Sequence, residues 1–97
     1  MENTSDIEKL ITEIKKLTTE ATSSLYTKPK AKPFIDSLKS LEYRLPKNNP
    51  ALKHMFSEFV CHVKEASGHG RNKEHWLSLL SRDLILIEQE LRRTNKD

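Results

Sequence analysis

One cysteine and three histidines lie close together in the second half of the chain, and these residue types can bind metal ions or act as nucleophiles and bases. They are Cys61, His62, His69 and His75. Structural zinc sites usually place paired ligands two to five residues apart, whereas Cys61 and His62 are adjacent and would point about 100° apart on a helix. The spacing therefore predicts no metal site, and we expect no cofactor.

The same residues also form a poor catalytic set. A Cys–His pair needs the imidazole within hydrogen-bond reach of the sulfur, which neighbours on a helix do not provide. The His-x-x-Lys-Gly surroundings usual at phosphotransfer histidines are missing from all four histidines, and the sequence has no glycine-rich phosphate loop or Ser-His-Asp signature. We therefore expect no enzyme. If the chain were one, Asp83 and the histidines near Gly68 would be the residues to test.

Asp83 is a carboxylate within an otherwise apolar stripe of the fourth helical segment. On a helical projection it is flanked by four apolar residues: Trp76, Ile87, Leu79 and Leu86. Burying an unpaired carboxylate is costly, so we expect it to have a partner. Either it is a polar lock for a partner helix, or it is a boundary residue that reaches water beside a lysine or arginine.

The middle of the chain is basic. Residues 28–53 hold seven basic and two acidic groups, whereas residues 54–97 hold seven of each. Such a segment can contact phosphates without reading bases, and its candidate contacts are Lys28, Lys30, Lys32, Arg44 and Lys47. The net charge of +3 is modest, however, and the sequence has no zinc-finger, RRM or basic-zipper signature. The segment is therefore either a solvated basic loop or a site for nucleic acid or another anion.

Three pairs of helix-breaking residues divide the chain into four segments: Pro29 with Pro33, Pro46 with Pro50, and Gly68 with Gly70. Proline ends a preceding helix but is tolerated in a first turn, so each proline pair can close one helix and open the next. Apolar residues recur at helical spacing in every segment, and in the first they continue to Leu25. The pattern predicts helices over about 5–26, 33–45, 50–67 and 73–93.

Four amphipathic helices with short connections predict an all-α fold, a four-helix up-and-down bundle that forms one domain over residues 1–97. The apolar arc of the fourth helix covers about half of its circumference, because Leu79 and Leu86 widen it. Two arrangements follow from this broad arc. Either one chain encloses the core, or a second copy completes it as a homodimer.

The composition sets limits on cellular context. The chain has 97 residues, of which 35% are hydrophobic and 32% charged, which allows one modest core. Its longest apolar run is far too short to cross a bilayer, its acidic start differs from a signal peptide, and a single cysteine cannot form an internal disulfide. We expect a cytoplasmic protein that does not bind membranes.

Together these observations predict a small non-catalytic interaction protein, such as an adaptor, inhibitor or regulatory subunit, that presents helix faces to another protein. Tyr43 and Ile85 fall on the polar faces of their helices, and with Asp83 they are the candidate contact residues. The alternative is a nucleic-acid-binding regulator that uses residues 28–53.

Overall fold

Within the part of the chain that the structure describes, four α-helices and one 3₁₀ turn form the fold. The computed structural model describes the backbone of residues 2–23, 25–68 and 72–96 and the side chains of residues 6–23, 25–68 and 72–94. The helices are α1 (Glu2–Ala21), α2 (Lys28–Ser40), α3 (Pro50–Ala66) and α4 (Lys73–Lys96), and the 3₁₀ turn spans Leu41–Arg44. The predicted number and order of helices are therefore confirmed.

Neighbouring helices run antiparallel. Asn49 Nδ2, just before α3, donates to Thr94 Oγ1 near the end of α4 over 2.8 Å. Further along α3, His62 contacts Asp83, so residues later in α3 face residues earlier in α4. Each helix packs on the next along the chain, and α4 also packs on α1. This closed square of helices is the predicted up-and-down bundle.

The first helix differs from its predicted bounds of 5–26 at both ends. It begins at Glu2 and ends at Ala21. Threonines crowd its last turns, and the hydroxyls of Thr18, Thr19 and Thr22 each donate to a carbonyl one turn earlier. Leu25 was expected on the apolar face of this helix. It lies beyond the helix and is 87% exposed.

The second helix begins at Lys28, not at Pro33 as the proline pattern predicted. Pro29 occupies the first turn, where no amide donor is needed, and Ala31 N donates to Thr27 O over 3.0 Å. Pro33 consequently lies inside the helix. Its missing N–H leaves the carbonyl of Pro29 without a helical donor, and the burial of Ala31 and Ile35 in the core favours the helix despite this loss. The chain then tightens into the 3₁₀ turn.

The third helix starts where predicted, because Asn49 Oδ1 accepts from Leu52 N over 3.0 Å and caps it. It ends at Ala66, and Gly68 follows with a positive φ of 72°. His69 and Gly70 lie outside the described residues. The fourth helix continues past the predicted end at residue 93 to Lys96, and its later turns carry Arg93, which pairs with Glu90.

The core lies between all four helices. Phe56 and Phe59 of α3 are fully buried at its centre, with their ring centroids 6.1 Å apart. Each of the other helices contributes buried apolar side chains to the same cluster, for example Ile14, Leu38 and Leu91. Within the described side chains, no buried nitrogen or oxygen atom lacks a hydrogen-bond partner. None of the helices in the described ranges is both long enough and apolar enough to cross a membrane.

Candidate functional site

A continuous groove runs along the outside of α2 and α3. It consists of three adjoining hollows. The first hollow, near the start of α2, and the middle one share Lys39 and Lys64, while the middle and last hollows share Glu42. The last hollow continues to Tyr43 and Pro50 at the start of α3. We call this surface the α2–α3 groove.

The α2–α3 groove lies over buried core side chains. Ile35 of α2 underlies the first hollow, and Phe56 and Val60 of α3 underlie the middle one. These three side chains are at most 7% exposed and offer little surface themselves. The apolar surface that a ligand would contact comes from the exposed Pro29, Tyr43 and Pro50 and from the aliphatic stems of the lysines.

Two lysines of the first hollow already have partners inside the chain. Lys28 Nζ donates to the carbonyl oxygen of Lys64 over 2.8 Å. That carbonyl belongs to the last turn of α3, where free carbonyls and the helix dipole favour a cation. Lys32 pairs with Asp36 over 2.9 Å, one turn further along α2. These two ammonium groups stabilise the fold locally and are less available to a ligand.

Four other lysines of the groove are free of such contacts. They are Lys39, Lys64, Lys47 and Lys53. Across the described side chains, no carboxylate forms an ion pair with any of them. Lys39 and Lys64 line the middle hollow, and Lys47 and Lys53 line the last one. The groove therefore offers two pairs of unpaired ammonium groups.

Carboxylates interrupt this positive charge. Glu42 lies between the two lysine pairs, since it lines both the middle and the last hollow. Glu65 lines the first hollow together with Asp36. The groove therefore alternates in charge along its length and is not a uniform basic track.

The predicted basic contacts are distributed over more than one surface. Lys28, Lys32 and Lys47 line the groove. Arg44 lines a separate hollow over α1, where it pairs with Glu13 over 3.1 Å. Lys30 is exposed but lines none of the three hollows of the groove. The predicted contacts therefore line two different surfaces, and Lys30 lines neither of them.

The sequence analysis missed Lys64 as a groove residue, because Lys64 lies outside the basic segment 28–53. A signal for it exists in α3. Lys53, Ser57, Cys61 and Lys64 recur at helical spacing and together form the α3 wall of the groove. This polar stripe opposite the apolar face of α3 marks the wall once α2 is known to pack beside it.

The predicted interaction residues Tyr43 and Ile85 do not lie together. Tyr43 is 84% exposed in the 3₁₀ turn, which packs on α1 and α2, and its ring borders the last hollow. Ile85 is 57% exposed on α4, which packs on α3 and α1. Only Tyr43 belongs to the α2–α3 groove.

Asp83 has the partner that its position requires, and this partner is a histidine on the neighbouring helix. His62 Nδ1 and Asp83 Oδ2 are 2.6 Å apart, and both side chains are partly buried. The His62 ring also lies 5.6 Å from the Trp76 ring, and His75 flanks the same tryptophan at 5.5 Å. The contact joins α3 to α4 on the side of α3 that faces away from the groove. Asp83 is therefore a boundary residue, paired with a histidine where the sequence analysis considered only a lysine or arginine.

The broad apolar arc of α4 is only partly buried. Leu79 is half-buried, and Leu86 is 42% exposed beside Met55 in a shallow hollow between α3 and α4. This surface contains no lysine or arginine in its lining. It is a single hollow, whereas the α2–α3 groove joins three.

Cys61 and His62 point to different surfaces. Cys61 is exposed in the middle hollow of the groove, and His62 faces α4. Within the parts of the chain that the structure describes, no three His, Cys, Asp or Glu side chains lie close enough together to hold a metal ion. His69, another histidine of this region, lies outside those parts.

Models of known protein families, curated proteins and solved structures were compared with this chain, and none of them matches it.

Proposed function

We propose that this chain is a non-catalytic interaction protein that binds another protein in the α2–α3 groove. The observation that carries the proposal is the continuity of the groove, which joins the exposed side chains of Pro29, Pro50 and Tyr43 with lysines that have no ion-pair partner among the described side chains. Protein interfaces combine an apolar centre with a polar rim, and aromatic residues are enriched in them. The groove has this composition on a single face.

The construction of the groove supports the proposal. Its walls are α2 and α3, joined at the last hollow by the 3₁₀ turn and residues 45–49, and all of these elements pack on the core, so the groove exists before any partner binds. A preformed surface of this kind loses little conformational entropy on binding. The contact between His62 and Asp83 lies elsewhere and stabilises the packing of α3 on α4, so the proposal assigns it no catalytic step.

Cys61 provides the test, because it is the single cysteine of the chain and is exposed in the middle hollow. A photoreactive maleimide attached to Cys61 should cross-link to one defined protein in an extract of cells that produce the chain. The matched control carries Cys61→Ser with Ser78→Cys, which places the probe on an exposed site of α4. The same adduct from both positions, or an adduct that survives Lys39→Glu with Lys64→Glu, would contradict the proposal.

Binding of a nucleic-acid backbone is the second candidate function. It is favoured by one specific feature, the position of Tyr43 beside the unpaired Lys47 and Lys53. Exposed aromatic rings stack on bases while neighbouring lysines neutralise phosphates. Such binding would weaken steeply between low and physiological salt, and Lys47→Ala with Lys53→Ala would reduce that salt dependence. Lys28 is unsuitable for this test, because its ammonium group also caps α3.

A further inference from the structure

We infer that the segment recognised by the α2–α3 groove is an amphipathic α-helix with two acidic positions about three turns apart on one face. This inference rests on the proposed function and specifies the chemistry of the partner. It follows from three properties of the groove: the spacing of its free lysines, the absence of a backbone edge along its helical walls, and the carboxylate between its lysine pairs.

The spacing of the lysines sets the spacing of the acids. Lys53 of the last hollow and Lys64 of the middle hollow lie on the same helix, about 16 Å apart along its axis at 1.5 Å per residue. A helix that lies alongside α3 covers this distance in three turns. Carboxylates separated by that length return to the same side of the helix, so both can meet a lysine pair at once.

The walls of the groove favour a helical ligand over an extended one. The α3 wall runs along the middle and last hollows, and the backbone amides of α2 and α3 are used in their own helices, so these walls offer no free edge to which a strand could add. An extended segment laid along α3 would therefore find no backbone donors or acceptors in that wall. A helix satisfies its own backbone groups internally and places its apolar side chains against Tyr43, Pro50 and the aliphatic stems of the lysines.

Glu42 disfavours a polyanion. It separates the two lysine pairs and would lie opposite the middle of any ligand that contacts both. An evenly charged row of phosphates would meet this carboxylate and be repelled. A helix avoids the repulsion, since its middle turn can carry a neutral or basic residue. The charge order of the groove therefore favours a protein segment that is acidic at both ends.

The test uses the full chain and synthetic helices of about five turns. The first peptide has a leucine stripe and two glutamates three turns apart at its edge. The second has lysines in place of the glutamates, and the third keeps both glutamates but moves them to the opposite face. A duplex DNA oligonucleotide serves as the polyanion. Binding is measured by fluorescence anisotropy, and occupancy of the groove by the protection of Cys61 from a thiol reagent.

We expect the first peptide to bind most tightly and to protect Cys61. Lys53→Ala with Lys64→Ala should weaken its binding by about three- to tenfold, the effect of losing two exposed ion pairs. Lys30→Ala, a lysine outside the groove, should leave binding unchanged. Equal binding of the three peptides, or protection of Cys61 by the DNA and not by the first peptide, would overturn the inference. A protein cross-linked through Cys61 would still support the proposed function after that failure, so the two failures can be told apart.

Discussion

Among the contacts between acidic and basic side chains that the structure describes, the contact between His62 and Asp83 is the least exposed, at 26% and 22%. The contact links the middle of α3 to the middle of α4, and the His62 ring also lies against Trp76. Removing one partner would leave the other partly buried without its hydrogen bond, which costs more than removing both. The pair should therefore behave as a coupled unit.

A double-mutant cycle tests this coupling. We expect His62→Ala and Asp83→Ala each to lower the free energy of unfolding, with a coupling energy of about 1 kcal/mol between them, measured by urea denaturation. The pair His54–Glu58 is the control, because it spans one turn of α3 and is well exposed. Its coupling should stay below about 0.5 kcal/mol. Equal coupling in the two pairs would show that partial burial does not strengthen the contact between His62 and Asp83.

Glu88 links α4 to α1. Lys15 of α1 donates to Glu88 over 3.0 Å, and this hydrogen bond is the largest cause that holds the pKa of Glu88 below its ordinary value; Arg92 lowers the pKa further. A carboxyl group whose pKa is lowered by folding stabilises the fold above its ordinary pKa. This contribution is lost as the pH falls through the lowered value.

We therefore expect Glu88→Gln to reduce stability in a pH-dependent way. At about pH 7 the variant should unfold more easily by under 1 kcal/mol, roughly the value of a partly exposed pair. The difference between the two proteins should shrink as the solution is acidified below the ordinary pKa of glutamate, because Glu88 becomes protonated in the native chain as well. Urea titrations across this range measure it. A difference that persists unchanged in acid would show that the charge of Glu88 is not its cause.

Sequence reasoning at this scale found Asp83 but not its partner. The helical stripe shows that Asp83 faces the bundle, and the cost of burying a carboxylate requires a partner. The side chain that lies opposite Asp83 depends on the register between α3 and α4. Periodicity within one helix carries no information about that register. For the same reason His62 was considered as a metal ligand, a catalytic base and a phosphotransfer residue, and not as the partner of Asp83.

At the scale of single elements, the two prolines of α2 have opposite roles. Pro29 lies in the first turn, where its fixed φ suits the helix. Pro33 lies inside the helix and removes an N–H that would bond to the carbonyl of Pro29. We expect Pro33→Ala to raise the free energy of unfolding by about 1 kcal/mol, the restored hydrogen bond being partly offset by a more flexible unfolded chain.

Pro29→Ala is the matched comparison, and it should leave the stability unchanged or lower it by under about 1 kcal/mol. Both variants can be measured by thermal and urea unfolding followed by circular dichroism. The opposite signs are the informative result. If Pro33→Ala failed to stabilise the protein, Pro33 would behave as a first-turn residue, as the sequence pattern alone predicts.

Gly68 allows the chain to leave α3 next to the start of α2. Its φ is 72°, and a Cβ atom there would lie 3.0 Å from the backbone nitrogen of Lys28 and 3.1 Å from Lys28 Cγ. Both the left-handed backbone and the close approach to Lys28 disfavour a side chain. Gly68→Ala should therefore lower the free energy of unfolding by about 1–3 kcal/mol.

Gly68→Asn separates the two causes. Asparagine tolerates a left-handed backbone better than alanine but brings a Cβ to the same place. It should recover part of the loss and remain less stable than the native chain, as measured by urea denaturation. If Gly68→Ala had native stability, neither the backbone nor the contact with Lys28 would require glycine at this position.

The helix boundaries show where local sequence rules fail because core packing favours a different boundary. The start of α3 was predictable, since Asn49 and Pro50 are a local cap and first-turn pair. The start of α2 was not, because Ala31 and Ile35 enter the core and favour helix on both sides of Pro33. The end of α1 depends on a turn that leaves Leu25 in solvent, although the helical spacing of apolar residues continues to it.

At the scale of the whole molecule, the α2–α3 groove exists only because two helices that carry different charge patterns pack side by side. The basic segment supplies Lys39, Lys47 and Lys53, but Lys64 comes from the opposite end of α3. The number and order of helices could be predicted from the periodicity in the sequence. The groove could not, because it depends on which faces of the helices remain outside the core.

The same packing also indicates whether the core needs a second copy of the chain to complete it. Apolar side chains from all four helices are buried within one chain, including Phe56 and Phe59. The apolar side chains left on the outer part of α4 are chiefly Ile85 and Leu86, and both are only partly exposed. Stable protein interfaces bury roughly 1,200–2,000 Å² in total, far more than these two side chains provide.

We therefore expect the protein to remain a monomer over a micromolar concentration series in size-exclusion chromatography with light scattering. Leu86→Lys replaces one of the two exposed apolar side chains of α4 by a charged one, and it should leave the measured mass unchanged. A dimer that dissociates on Leu86→Lys would instead assign the α4 face to self-association. A dimer that protects Cys61 and resists Leu86→Lys would place a second copy in the α2–α3 groove, where we expect another protein.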